Sequence, residues 1–296
     1  MSSAFRITQR TLTSSTLGNL QANLAKMQRL QEQMSSGRSL QKPSDSPTGT
    51  VSSLRLRSDV RRSEQLTRNA QDGLGWLGAA DTTLTDGIGF IRQARDLVIS
   101  GANAALGPSQ REAIATEVEG IRNSLLAVAN TTYLKQPIFA GTKTPAPAYD
   151  TSGVYQGNTG QVTRTIAPGL TVPVNLNGEQ VFGLPGSDVF KVLTDIADHL
   201  RTNPDALTAT DLDLLDGAFL RMQNALSTIG SRYHQVETMS QRIDAIRIDA
   251  TKQLSEVEGV DLPATIVDLQ LQETAYQAAL GATAKVIQPS LLDFLR

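Results

Sequence analysis

The chain contains no cysteine, which excludes disulfides, thiolate metal sites and cysteine nucleophiles at once. Histidine is limited to His199 and His234, and aromatic residues to 4% of 296 residues. So little aromatic material suits long helices better than a thick globular core. No stretch approaches the ~18 consecutive apolar residues of a membrane helix, so membrane insertion is not expected. The opening residues Met1 to Thr16 lack the apolar stretch of a secretory signal peptide, which predicts a cytoplasmic protein unless another export route applies. A formal net charge of -2, from 27 basic and 29 acidic residues, gives no overall excess to draw nucleic acid or an anionic membrane.

The charge that is present is unevenly placed. Residues 1–68 hold eleven Lys/Arg against four Asp/Glu, and residues 236–296 hold nine Asp/Glu against five Lys/Arg. Such ends can attract each other within one chain or between neighbouring copies. Both ends also carry helical apolar spacing. Leu17, Leu20, Leu24 and Met27 fall three and four apart, the seam continues through polar Gln31 to Met34, and Gly37 ends the pattern. After a Pro-bearing segment, a seam runs from Leu56 through Val60, Ala70, Leu77, Leu84 and Ile91 to Val98. A helix of that length reaches about 60 Å, which is coiled-coil or elongated-bundle territory.

Another helical stripe contains Ile114, Val118, Ile121 and Leu125. From residue 137 to 187 proline and glycine become frequent, predicting β structure. Two hairpins are expected there: residues 161–166 against 154–156, and residues 172–176 against 179–182 around Asn177-Gly178. Helical spacing returns at Asp188 and breaks at Asn203-Pro204. It continues through Leu215, Met222, Ile229, Val236 and Ile243, and restarts near Pro263 with Ile266, Leu269, Tyr276, Leu280 and Ile287. The predicted fold is mainly α with a small β insertion, an elongated helical bundle or coiled coil made from N- and C-terminal segments.

Enzyme-like motifs lack their context. Gly73-Leu74-Gly75-Trp76-Leu77-Gly78 matches a dinucleotide-binding glycine pattern, but a helical stripe runs straight through it with no strand before. It predicts close helix packing instead. His199 follows Asp195 at helical spacing, yet nothing completes a metal set. Asp211, Asp213 and Asp216 suit the positive end of a helix. The Arg55, Arg57, Arg61, Arg62 cluster lacks interleaved aromatics and is interrupted by acids, which argues against nucleic acid. No catalytic residue, cofactor or metal site is expected.

Ser35-Ser36-Gly37-Arg38-Ser39-Leu40-Gln41-Lys42-Pro43-Ser44-Asp45-Ser46-Pro47 resembles the loop signature of the flagellin-like family, with Ser46 where a second Asp is usual. Asn69-Ala70-Gln71-Asp72-Gly73-Leu74 resembles a helix segment of that family. Pro137-Ile138-Phe139-Ala140-Gly141-Thr142-Lys143, the run Val154 to Gly160, and the C-terminal segment from Gln277 through Leu291 and Phe294 to Leu295 resemble its hook-filament junction branch.

The resemblance implies a non-enzymatic structural subunit at the junction, with flagellin itself or a secreted helical binding module as alternatives. It implies an inner N-terminal helix (1–45), a helical rod (46–136), an outer β insertion (137–187), a second rod part (188–260) and an inner C-terminal helix (261–296). Removing the insertion should then disturb assembly less than trimming either end.

The implied partners are copies of the chain, an adjacent hook-associated protein on the hook side, flagellin on the filament side, a cytoplasmic export chaperone and the flagellar type III export apparatus. That route would carry a chain without a cleaved signal peptide to the cell exterior. The implied assembly residues are Leu17, Leu20, Leu24, Met27 and Met34 on the first helix. On the last they are Ile266, Leu269, Tyr276, Leu280, Ile287, Leu291 and Phe294. Gly37, Pro43, Ser44, Asp45 and Pro47 form the signature loop.

Overall fold

The computed structural model describes residues 9–103, 105–143 and 146–287. Two compact units divide the chain, Met1–Arg61 with Arg247–Arg296, and Arg62–Ile246. The changes of unit fall inside two long helices, α2 (Pro47–Gly101) and α6 (Leu212–Glu258), and not at loops.

The unit formed by residues 62–246 is helical with a β-rich segment. Along α2 every seventh residue from Ala70 (Leu77, Leu84, Ile91, Val98) is buried. The same spacing runs along α6 through Leu215, Met222, Ile229, Val236 and Ile243. A seven-residue apolar repeat keeps one seam facing a partner along the whole helix. α3 (Pro108–Ala129) adds Val118, Ile121 and Leu125, and α5 (Val189–Thr202) adds Leu193, Ile196 and Leu200. Asp188 caps α5, its carboxylate accepting from the Lys191 amide at 2.9 Å, and stabilises the otherwise unpaired amides of the first turn. Arg201 ties α5 to α3 through Glu112 at 2.9 Å and Glu119 at 2.6 Å.

The segment after α3 differs from both expected hairpins. β1 (Thr132–Tyr133) pairs antiparallel with β2 (Gln136–Pro137), starting before residue 137. β3 (Thr163–Ala167) pairs with β4 (Leu170–Pro173), closing at Pro168-Gly169, and not with residues 154–156. Gly169 takes φ +76, the left-handed conformation that the second residue of a turn opened by Pro168 requires, and a bulge between Thr165 and Ala167 adjusts the strands beside it. Asn177 does not close a hairpin. Its side chain accepts from the Gln180 amide at 2.9 Å and caps the short helix α4 (Gly178–Phe182), because an Asn-Gly pair serves a helix start as well as a turn.

The β-rich segment is not set apart from the helices. Phe139, Tyr149 and Phe182 are buried with Phe190 of α5, ring centroids 4.9 to 5.6 Å apart. Ile138, Ile166, Val174 and Val181 join the same core as the helical seams. Tyr149 is bracketed by Asn130, whose amide donates to its carbonyl at 3.0 Å while its oxygen accepts from its N–H at 2.8 Å. Burial pushes the Tyr149 hydroxyl pKa up, so it stays neutral.

The enzyme-like motifs fall where structure, not chemistry, uses them. Gly73, Gly75 and Gly78 lie in mid-helix in α2, and a Cβ at Gly75 would overlap the Tyr133 side chain. Trp76 packs against that ring at 5.5 Å. His199 meets Asp211, not Asp195, with Nδ1 2.8 Å from Oδ2, and Asp195 pairs with Lys191. Asp216 accepts from Arg95 at 2.8 Å. Among the described residues no group of three or more His, Cys, Asp or Glu is placed to hold a metal.

Candidate assembly interface

The other unit is built from the two ends of the chain. α1 (Gln9–Ser36) packs on α7 (Leu262–Ile287). Gln272 reaches the Asn23 carbonyl at 3.5 Å and Arg38 bridges to Gly259, so the two helices run antiparallel. From residue 14 on, the half-buried positions of α1 are Thr16, Leu20, Asn23, Met27, Leu30 and Met34, with Gln33 beside Met34, and the covered positions of α7 are Thr265, Leu269, Gln272, Tyr276, Ala279 and Thr283. Apart from Gln33, both sets alternate four and three apart, which is the spacing of a paired-helix seam.

That register divides the residues expected to act together. Leu20, Met27, Met34, Leu269 and Tyr276 line the seam between α1 and α7. Leu17, 56% exposed, and Leu24 stand outside it on α1. Ile266 and Leu280 stand outside it on α7, beside Val267 and Leu271, which are 63% and 68% exposed. The side chain of Ile287 and all of Leu291 and Phe294 lie outside the described residues. The hairpin thus leaves apolar side chains exposed on both helices outside its seam. Val267 and Leu271 escape a reading by single stripes because they sit off the heptad, although a mean apolar surplus along 262–287 is visible in the sequence.

The signature loop closes this unit. Gly37 adopts φ +68, the left-handed conformation in which a helix commonly ends, and its amide returns to the Gln33 carbonyl at 2.9 Å. Asp45 draws the loop together, its Oδ2 accepting from the amides of Lys42 at 2.8 Å and Gln41 at 3.1 Å. These bonds, that from Lys42 foremost, hold its pKa below the ordinary carboxylate value. Pro43 and Ser44 are exposed. Ser46 accepts from the Gly49 amide at 3.1 Å, and Pro47 opens α2. Serine therefore caps this helix in place of the family's second aspartate.

Glu258, the last residue of α6, was not visible as special in the sequence. Only 6% of it is exposed. Arg57 grips its carboxylate with Nε at 2.6 Å and Nη2 at 2.7 Å, the Ser53 hydroxyl donates to it, and Arg38 lies 3.7 Å away. Its backbone carbonyl accepts from the Ser39 amide at 2.7 Å and from the Ser39 hydroxyl at 3.2 Å. The bidentate Arg57 contact is the main cause holding the carboxyl below the usual glutamate range, against the opposing effect of burial. Arg38 and Arg57 belong to the basic first quarter and Glu258 to the acidic last fifth of the chain. Oppositely charged ends therefore meet inside one molecule.

Two chain ends that close into one helical hairpin, while the intervening residues fold into a body of their own, define a class of helical subunit whose first and last elements are inseparable. The sequence matches this class at both ends: residues 7–144 match the bacterial flagellin N-terminal helical region and residues 212–295 the bacterial flagellin C-terminal helical region, together about three quarters of the chain. The chain belongs to the bacterial flagellin family.

Among its relatives, the flagellar hook-associated protein 3 of Escherichia coli strain K12 is 24% identical over 276 residues, covering 85% of this chain and 87% of that protein. A flagellin of Bacillus subtilis strain 168 is 21% identical over 308 residues, covering 98% of this chain and all of that protein. Among solved structures, a flagellar hook-associated protein from Vibrio parahaemolyticus shares the fold with a TM-score of 0.68 at 22% identity, over 73% of this chain and 100% of that chain.

Proposed function

We infer that this chain is a structural subunit of the bacterial flagellum, an adaptor at the junction between hook and filament. The observation that carries it is the match to hook-associated protein 3 along most of both chains, joined to a terminal hairpin that leaves an apolar face uncovered. Large apolar side chains left exposed together on one helix pair point to a partner in the working state. The second face of the hairpin, Leu17 and Leu24 on α1 with Ile266, Val267, Leu271 and Leu280 on α7, is the surface for neighbouring copies, the hook side and the filament side. The inner seam serves the subunit itself. A cytoplasmic chaperone would cover the outer face before assembly, and export through the flagellar type III apparatus would carry the chain outside.

The competing reading is a filament subunit, favoured by the B. subtilis flagellin match along nearly the whole chain. The Phe139-Ala140-Gly141-Thr142 element and the higher identity to the hook-associated protein support the junction. The test joins two assays. Val267→Ser with Leu271→Ser should leave the purified protein's helical content and melting unchanged, and should leave cells with hooks but detached filaments. Normal attachment would remove this face from the interface. Long filaments grown from the purified wild-type chain alone would favour flagellin.

A further inference from the structure

Glu258 occupies a costly position. A carboxylate at the C-terminal end of a helix faces the negative end of the helix dipole, and taking it out of water adds a desolvation cost that only well-placed donors offset. Those donors come from two other stretches of the chain. Ser53 and Arg57 lie in the opening turns of α2, and Arg38 lies in the loop after α1. Lys42 and Gln41 of that loop line the same shallow depression of about 190 Å³ beside Glu258. Asp261, three residues on, is engaged with the first turn of α7, its carboxylate accepting from the Ala264 amide at 3.1 Å. Cations face Glu258 from α2 and from the loop.

The backbone around Glu258 is where the chain makes both of its connections in this unit. Ser39 donates to its carbonyl, and Val260, two residues on, donates to the Gly37 carbonyl at 3.3 Å. The exit from α1 and the entry to α7 are thus bonded to each other across the residue whose carboxylate is bonded to α2.

We propose that Glu258 is the positioning residue of the terminal unit: its charged carboxylate, seated on Arg57, Ser53 and Arg38, fixes where α1 ends and α7 begins, and protonating it frees both connections together. Charge is required because the guanidinium of Arg57 has no other acid beside it at this position among the ion pairs of the described residues. The sign follows from the seat. A carboxylate with a lowered folded pKa contributes stability that is full above its unfolded value, about 4.3, and is lost as pH falls through the folded value.

The test is residue-resolved hydrogen exchange on the full chain, wild type and Glu258→Gln, which keeps size and removes charge. At pH 7 the variant should exchange about tenfold or more faster at Ser39, Val260 and the end of α6, with residues 62–246 at wild-type rates. Corrected for intrinsic rates, the wild type should show the same acceleration only below the ordinary glutamate range, and the variant should show no such step. Wild-type rates in the variant overturn the proposal. So does acceleration spread evenly over residues 62–246, an unprotected Ser39 amide in the wild type, or identical pH profiles. The experiment needs no flagellum, so its outcome is separate from that of the function proposed above.

Discussion

Leu134 and Lys135, at the tip of the β1–β2 hairpin, hold φ of 49 and 65. Two adjacent left-handed residues match the twist of a two-residue hairpin, but only Asn, Asp or Gly adopt that conformation cheaply. Nothing in the Leu-Lys pair signals a turn, so the hairpin is not legible in the sequence. Leu134→Asn with Lys135→Gly should therefore stabilise the protein by about 1–2 kcal/mol, seen as a higher denaturant midpoint with an unchanged slope. A lower midpoint would mean that these side chains contribute contacts outweighing the backbone cost. Glu258 was illegible for a different reason. Its partner Arg57 lies 201 positions away, and no periodicity connects the end of one helix to the opening turns of another.

At the scale of elements, long helices were the legible part. Seven-residue spacing from Ala70 to Val98 and from Leu215 to Ile243 is written in the side chains themselves, and the same residues are buried. What spacing alone does not reveal is how many partners a helix has. On α7 the residues 266, 269, 276 and 280 read as one stripe, yet Leu269 faces α1 while Leu280 stays 45% exposed. The two positions should separate in experiment. Leu269→Asp places a charge in the seam and should cost the isolated hairpin unit about 1–3 kcal/mol, read as faster hydrogen exchange along α1 and α7. Leu280→Asp should leave that exchange unchanged and weaken attachment of filament to hook. If both substitutions behave alike, the helix has one working face and not two.

Across the whole molecule, the order of helical, β-rich and helical stretches was readable from composition, whereas the sharing of one core was not. Aromatic residues are scarce, and four of them, Phe139, Tyr149, Phe182 and Phe190, gather from segments far apart in sequence to join the β-rich stretch to α5. An insertion that fills the body's own core is not a removable outer module. Phe182→Ala should cost about 3–5 kcal/mol and should lower protection along α2 and α3 as well as near the substitution. Loss confined to residues 132–186 would show that the two parts fold independently.

The terminal hairpin sets a further condition of a temporal kind. Asn23 and Gln272 are 249 positions apart and Ser39 and Glu258 are 219 apart, so α1 packs on α7 only once the residues of α7 have been synthesised. Closing so wide a loop costs little more entropy than closing a moderate one, but contacts this distant in sequence form late. Of this helix pair the one synthesised earlier therefore waits for the later one, and a chain interrupted anywhere before α7 keeps the apolar positions of α1 available to other proteins.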